Sequence, residues 1–85
     1  MPAEKAARQS VKRYQRNRSV RTATRTAISK ALEAVESGDA LEAEPRVLAA
    51  ISVLDRAARK GVLTKKNVNR RKSRISARLN RLRRA

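Results

Sequence analysis

Four arginines in the last third of the chain, Arg70, Arg74, Arg78 and Arg81, stand four, four and three residues apart. On a helix that spacing aligns them in one stripe, and a row of planar guanidiniums is suited to bidentate contact with phosphate oxygens. Lys65, Lys66, Arg71, Lys72 and Ser73 lie among them, with Arg83 and Arg84 beyond. A second set, Arg8, Lys12, Arg13, Arg16, Arg18, Arg21 and Arg25, occupies the first third. Arginine outnumbers lysine sixteen to seven, which favours oriented phosphate contacts over diffuse point charge. The chemistry these residues offer is the neutralisation of an extended anion. Catalysis has no matching set. The chain holds no His and no Cys, which removes histidine bases, thiol nucleophiles and the usual zinc, haem and iron–sulfur ligands. Asp39 and Glu42 fit helix caps, Asp55-Arg56 surface charge, and Glu33 and Glu36 share no evident partner. No enzyme, cofactor, metal or small-molecule substrate is expected.

The charge is distributed in three zones. Residues 1–30 carry nine Lys or Arg and one acid, residues 31–58 carry two and six, and residues 59–85 carry twelve and none. Two basic arms thus flank a mildly acidic centre in a chain of net charge +16. Self-repulsion on that scale opposes compaction and points to an acidic partner. The longest apolar run, Val47 to Ile51, is five residues, far too short to span a membrane.

Elements that could position these cations follow from the apolar spacing. At 85 residues the chain is one small domain with a modest core, and fifteen of its 34 hydrophobic residues are alanine. Alanine, arginine, lysine and leucine are strong helix formers, so the fold class is all-α. Ser37-Gly38-Asp39 signals the end of one helix and Asp39 with Glu42 the start of another. Pro45 conflicts with that start, leaving Asp39 and Pro45 as alternative origins of the second helix. Lys60-Gly61 repeats the stop signal, Val62-Leu63 can staple the joint, and Thr64 can cap a third helix. Short connections favour an antiparallel three-helix bundle. Its core candidates are Ile28, Ala31, Leu32 and Val35; then Val47, Ile51, Leu54 and Ala58, widened by Ala50, Val53 and Ala57; then Val68, Ile75, Leu79 and Leu82.

Extended backward by heptads, the first apolar stripe changes character. Val35 and Ile28 are succeeded by Arg21 and Tyr14, and Leu32 by Arg25, Arg18 and Val11. Unpaired guanidinium is costly to bury, so packing is expected to end near residue 26. A helix from about residue 8 to 37 would then overhang the bundle, with residues 1–25 a basic extension and residues 26–85 the bundle of a single 1–85 domain. The single aromatic, Tyr14, argues against recognition of splayed single strands by stacking. No Asn- or Gln-bearing recognition helix points to base reading in a major groove. Recognition by backbone and shape is left, of folded RNA or of duplex DNA.

The stretch Lys60 to Ile75, K-G-V-L-T-K-K-N-V-N-R-R-K-S-R-I, resembles the signature of the bacterial small-subunit ribosomal protein twenty family, K-G-V-I-H-K-N-x-A-A-R-x-K-S-R-L. Lys60, Gly61, Val62, Lys65, Arg70, Lys72, Ser73 and Arg74 match, and Leu63 and Ile75 are conservative replacements. Upstream, N-R-S-V-R-T-A-T-R-T-A-I-S-K and E-S-G-D resemble the family's basic first helix and its turn. Thr64 stands where the family often has histidine, Lys66 where it often has asparagine, and Val68-Asn69 replaces an alanine pair. The final Arg-Leu-Arg-Arg-Ala has no counterpart in the signature. The resemblance implies a three-helix bundle in the small ribosomal subunit of the cytoplasm, ahead of an organellar ribosome. It implies direct contact with small-subunit ribosomal RNA, in the 5′ domain and the penultimate helix, joining distant segments during assembly with few protein contacts.

The alternative function is a nucleoid-type DNA-compacting protein, which shares the charge but would want a spare apolar face for dimerisation. A membrane-active amphipathic protein would want bulky apolar residues opposite the cations, absent upstream of residue 26. A transit peptide over residues 1–30 would leave the equally basic C-terminal arm unexplained.

Overall fold

A computed structural model of the chain describes residues 2–84, as three helices and, among those residues, no strand. Met1 and Ala85, the ends of the expected extension and of the final Arg-Leu-Arg-Arg-Ala, lie outside the described residues. Helix α1 spans Pro2–Glu36, α2 Ala40–Arg59 and α3 Lys65–Arg84. Helix α1 begins well before residue 8. Pro2 stands at its first position, where a missing N–H costs nothing, and Glu4 adds a favourable acid to the first turn.

The joints follow the local signals. Gly38 has φ +84° and Gly61 φ +74°, the left-handed conformation a side chain resists. At the second joint Val62 N–H bonds Ala57 C=O and Gly61 N–H bonds Ala58 C=O, both at 3.0 Å. That pair of bonds is a Schellman cap, and the apolar contact it needs is supplied by buried Val62 over buried Ala57. Thr64 Oγ1 then accepts from Asn67 N–H at 3.2 Å and starts α3. The competing origins of α2 are resolved in favour of Asp39, whose carboxylate accepts from Leu41 N–H at 3.0 Å and Glu42 N–H at 3.4 Å. Pro45 is inside the helix. Its ring deprives the Leu41 carbonyl of an intrahelical donor, and Leu41 is 88% exposed, so water can serve that oxygen instead.

Residue pairs between helices set directions. Lys72 meets Asp55 and Arg83 meets Glu44, so α3 runs antiparallel to α2, eleven residues along one matching eleven along the other. Lys30 and Ser37 border Glu42 and Arg46, and Ala23 and Ala27 border Arg46 and Ala49, so α1 and α2 are antiparallel too. Helix α1 packs mainly on α2, α2 less extensively on α3, and α1 and α3 meet least.

The core is Ala31, Ala34, Ala43, Val47, Ala50, Leu54, Val68, Ile75 and Leu79. In α2 the buried line is Ala43, Val47, Ala50, Leu54 and Ala57, with Ile51, Val53 and Ala58 half-buried at its sides. In α1 the most buried residues are Thr24, Ala31 and Ala34, whereas Ile28, Leu32 and Val35 are only half-buried. The expected stripe is therefore rotated. Small side chains let α1 and α2 approach closely, and the larger aliphatics are displaced toward α3. Buried Thr24 is satisfied by donating to Val20 C=O at 2.9 Å.

This rotation also moves the point where packing ends. Thr24 is buried and Val20 half-buried, so burial on α1 does not stop at residue 26. Arginine occupies one side of the helix there, while the side toward α2 is small and apolar. With Lys30 level with Arg46, the antiparallel register brings Arg59 level with about residue 17. Residues 2–16 project beyond it by about 22 Å, out of a helix about 52 Å long. The molecule is accordingly elongated, 62 Å in its longest dimension. Its radius of gyration is 16.3 Å, against about 12 Å for a compact chain of this length.

Candidate nucleic-acid interface

Helix α3 presents three sides. Val68, Ile75 and Leu79 face the core. On the side toward α2, Lys72 Nζ donates to Asp55 Oδ1 at 2.9 Å and Arg83 approaches Glu44 Oε1 at 2.7 Å. Each pair is partly exposed, which limits it to about 0.2–1 kcal/mol, but together they fix the α2–α3 register. Asp55 therefore has an interhelical partner and is not simply surface charge. Lys72 and Arg83 stand apart from the arginine stripe, their charge answered within the protein.

On the remaining side, toward α1, Arg70, Arg74, Arg78 and Arg81 are exposed and share one flank of α3. Arg70, Arg71, Arg74 and Arg78 line a groove with Ile28 and Leu32 of α1 and with Ile75 as its floor. Arg78 and Arg81 continue it alongside Val35 and Leu82. No acidic residue lines either stretch. Helix α1 is parallel to α3, and Arg25 and Arg21 precede Ile28 by three and seven residues, on the same side of the helix. Both are exposed, as is Arg18. The groove itself has arginine on its α3 bank and Ile28, Leu32 and Val35 on its α1 bank, and Arg21 and Arg25 continue the cationic side upstream along α1.

The other expected contact residues are placed as follows. Arg8, Lys12, Arg13 and Arg16 are exposed around the projecting part of α1, where Arg16 also donates to Asn17 Oδ1 at 3.4 Å. Tyr14 is exposed there too. Lys65 borders the α2–α3 cleft with Leu48, Ile51 and Asp55. Lys66 and Ser73 are exposed and Arg71 is half-buried. Ile28 packs against the core as the sequence predicts, and it also lines this groove with Leu32, a part the apolar spacing does not reveal. The signal for it is the neighbouring alanine face, which takes their place against α2.

Among the described residues no cluster of acids could hold a metal ion, and no helix is long and apolar enough to cross a membrane. Fold and face together define a small all-α protein with a cationic side centred on a groove that no acid lines. The model of the ribosomal protein S20 family matches residues 2–80. The small ribosomal subunit protein bS20 of Laribacter hongkongensis is 48% identical over 75 residues, covering 88% of this chain and 86% of the relative. That of Thermomicrobium roseum is 52% identical over 81 residues, covering 94% and 81%. The chain belongs to the ribosomal protein S20 family. The matched span stops before Arg81 and Arg83, the last arginine of the stripe and the partner of Glu44.

Proposed function

We propose that this chain is a structural, non-catalytic component of the small subunit of the cytoplasmic ribosome and binds small-subunit ribosomal RNA directly. The observation that carries the proposal is the row of exposed arginines along the α3 bank of a groove that no carboxylate lines, continued upstream by exposed Arg21 and Arg25 of α1. A phosphate backbone lying along that face can be met by Arg21 and Arg25 from one helix and by Arg70, Arg74 and Arg78 from the other. The projecting turns of α1, with Arg8, Lys12, Arg13 and Arg16, reach about 22 Å farther. A second RNA segment can therefore be engaged away from the bundle. The resemblance names the 5′ domain and the penultimate helix as the two segments such a protein joins.

The test has two parts. Replacing Arg70, Arg74 and Arg78 together with alanine flattens the plot of log affinity against log salt by roughly two to three units, somewhat under one per lost contact. An unchanged slope contradicts the role given to α3. Nucleic acid crosslinked to the protein in cells is expected to survive DNase and to be destroyed by RNase, and the reverse result favours the DNA-compacting alternative.

A further inference from the structure

The groove between α1 and α3 differs from a plain cationic track, because its floor is apolar. Ile75 is nearly buried at the bottom, and Ile28 and Leu32 remain half-buried on the α1 wall. Arg70, Arg74 and Arg78 edge this slot on the α3 side, and α1 and α3 meet less than either other pair of helices. The slot's volume, about 320 Å³, is at the small end of pockets that enclose an organic ligand. The α2–α3 cleft is larger, about 610 Å³, and carries Asp55 in its lining, which disfavours a phosphate there.

We propose that the α1–α3 slot receives one unpaired nucleotide of the bound RNA. Its base lies against Ile28, Leu32 and Ile75, and its flanking phosphates are held by Arg70, Arg74 and Arg78. The occupant is dictated by chemistry: an apolar floor wants a flat, weakly hydrated ring, and an acid-free arginine rim wants the anion attached to it. Guanidinium planes can stack on a base where aromatic residues are lacking, which suits one extruded nucleotide better than a splayed strand. The inference rests on the RNA-binding function proposed above and adds a selectivity that function does not require.

Two RNA hairpins test it with the full chain: one continuously paired, the other identical except for a single bulged 2-aminopurine. The bulged hairpin is expected to bind about tenfold more tightly at matched salt, with the same salt slope and a change in 2-aminopurine emission on binding. Leu32→Gln keeps side-chain length and helix propensity while making the α1 wall polar. It should remove most of that preference, read as the ratio of the two affinities, so that a loss common to both hairpins does not count. Should circular dichroism show that variant unfolded, the wild-type comparison decides alone. Equal affinity for both hairpins with unchanged emission overturns the slot while leaving RNA binding in place. Failure of the wild-type protein to bind either hairpin overturns the slot and the underlying function together.

Discussion

Helix α3 carries cations on both flanks, yet the two flanks are built to opposite ends. Toward α2, Lys72 and Arg83 find Asp55 and Glu44, and the charge is cancelled inside the protein. Toward α1, Arg70, Arg74, Arg78 and Arg81 border Ile28, Leu32 and Val35, with no acid in the groove lining and with Arg21 and Arg25 exposed upstream on α1. The acids of this chain are concentrated in residues 31–58, which supply α2 and the end of α1. The central helix thereby serves as core and as counter-charge for one side only. The difference teaches that net charge alone does not define a binding face. A cation with an internal partner helps fix helix register, and the same residue type without one is available to a polyanion.

Substitutions can break this contrast or sharpen it. The largest effect is expected where both flanks depend on one support. Leu54 is completely buried at the centre of α2, and Leu54→Ala should cost about 2–5 kcal/mol in urea unfolding, taking both faces with it. Next, Asp55→Lys places a cation opposite Lys72 and makes the α2 side resemble the α1 side. A stability loss of about 1 kcal/mol is expected, together with a steeper salt dependence of RNA binding. The smallest and most discriminating pair is Lys72→Ala against Arg74→Ala. The first should lower stability by up to about 1 kcal/mol and leave the salt slope nearly unchanged. The second should leave thermal stability nearly unchanged and reduce the slope by somewhat under one unit, about 0.9 for a duplex phosphate contact. Identical behaviour of the two variants would erase the distinction between the flanks.

The sequence made the joints and the helix count legible because their causes are local. Gly38, Asp39, Gly61 and Thr64 act through their own backbone angles and nearest N–H groups, and each does so in the structure. The start of α2 was ambiguous because Asp39 and Pro45 are both good first-turn residues, and the Asp39 cap prevails with proline accommodated in the helix. The α1 interface was less legible. The expected stripe of Ile28, Ala31, Leu32 and Val35 includes Ala31, which is fully buried. Close approach selects small residues, however, so Ala34 and Thr24 are buried with it while the three larger aliphatics are half-buried. That one rotation misplaced the end of packing by about nine residues and hid the groove. The pairing of Asp55 with Lys72, seventeen positions apart, depends on the register of two helices and has no local signature.

The same contrast applies along α1 itself. From about residue 17 onward the helix is held by α2, whereas residues 2–16 project without such support and contain like-charge pairs at helical spacing. Lys5 with Arg8, Arg8 with Lys12, and Lys12 with Arg16 are such pairs. Each pair of this type weakens an isolated helix by about 0.2–0.5 kcal/mol, and an isolated segment of fifteen residues is marginal even without repulsion. Residue-resolved hydrogen exchange of the full chain, free and bound to folded small-subunit RNA, tests the central claim that a polyanion supplies what the protein withholds. Amides of residues 5–16 should exchange freely in the isolated protein and become protected in the complex, with those around Val47 and Leu54 protected in both. Equal protection of residues 5–16 with and without RNA, or none in the complex, would contradict it.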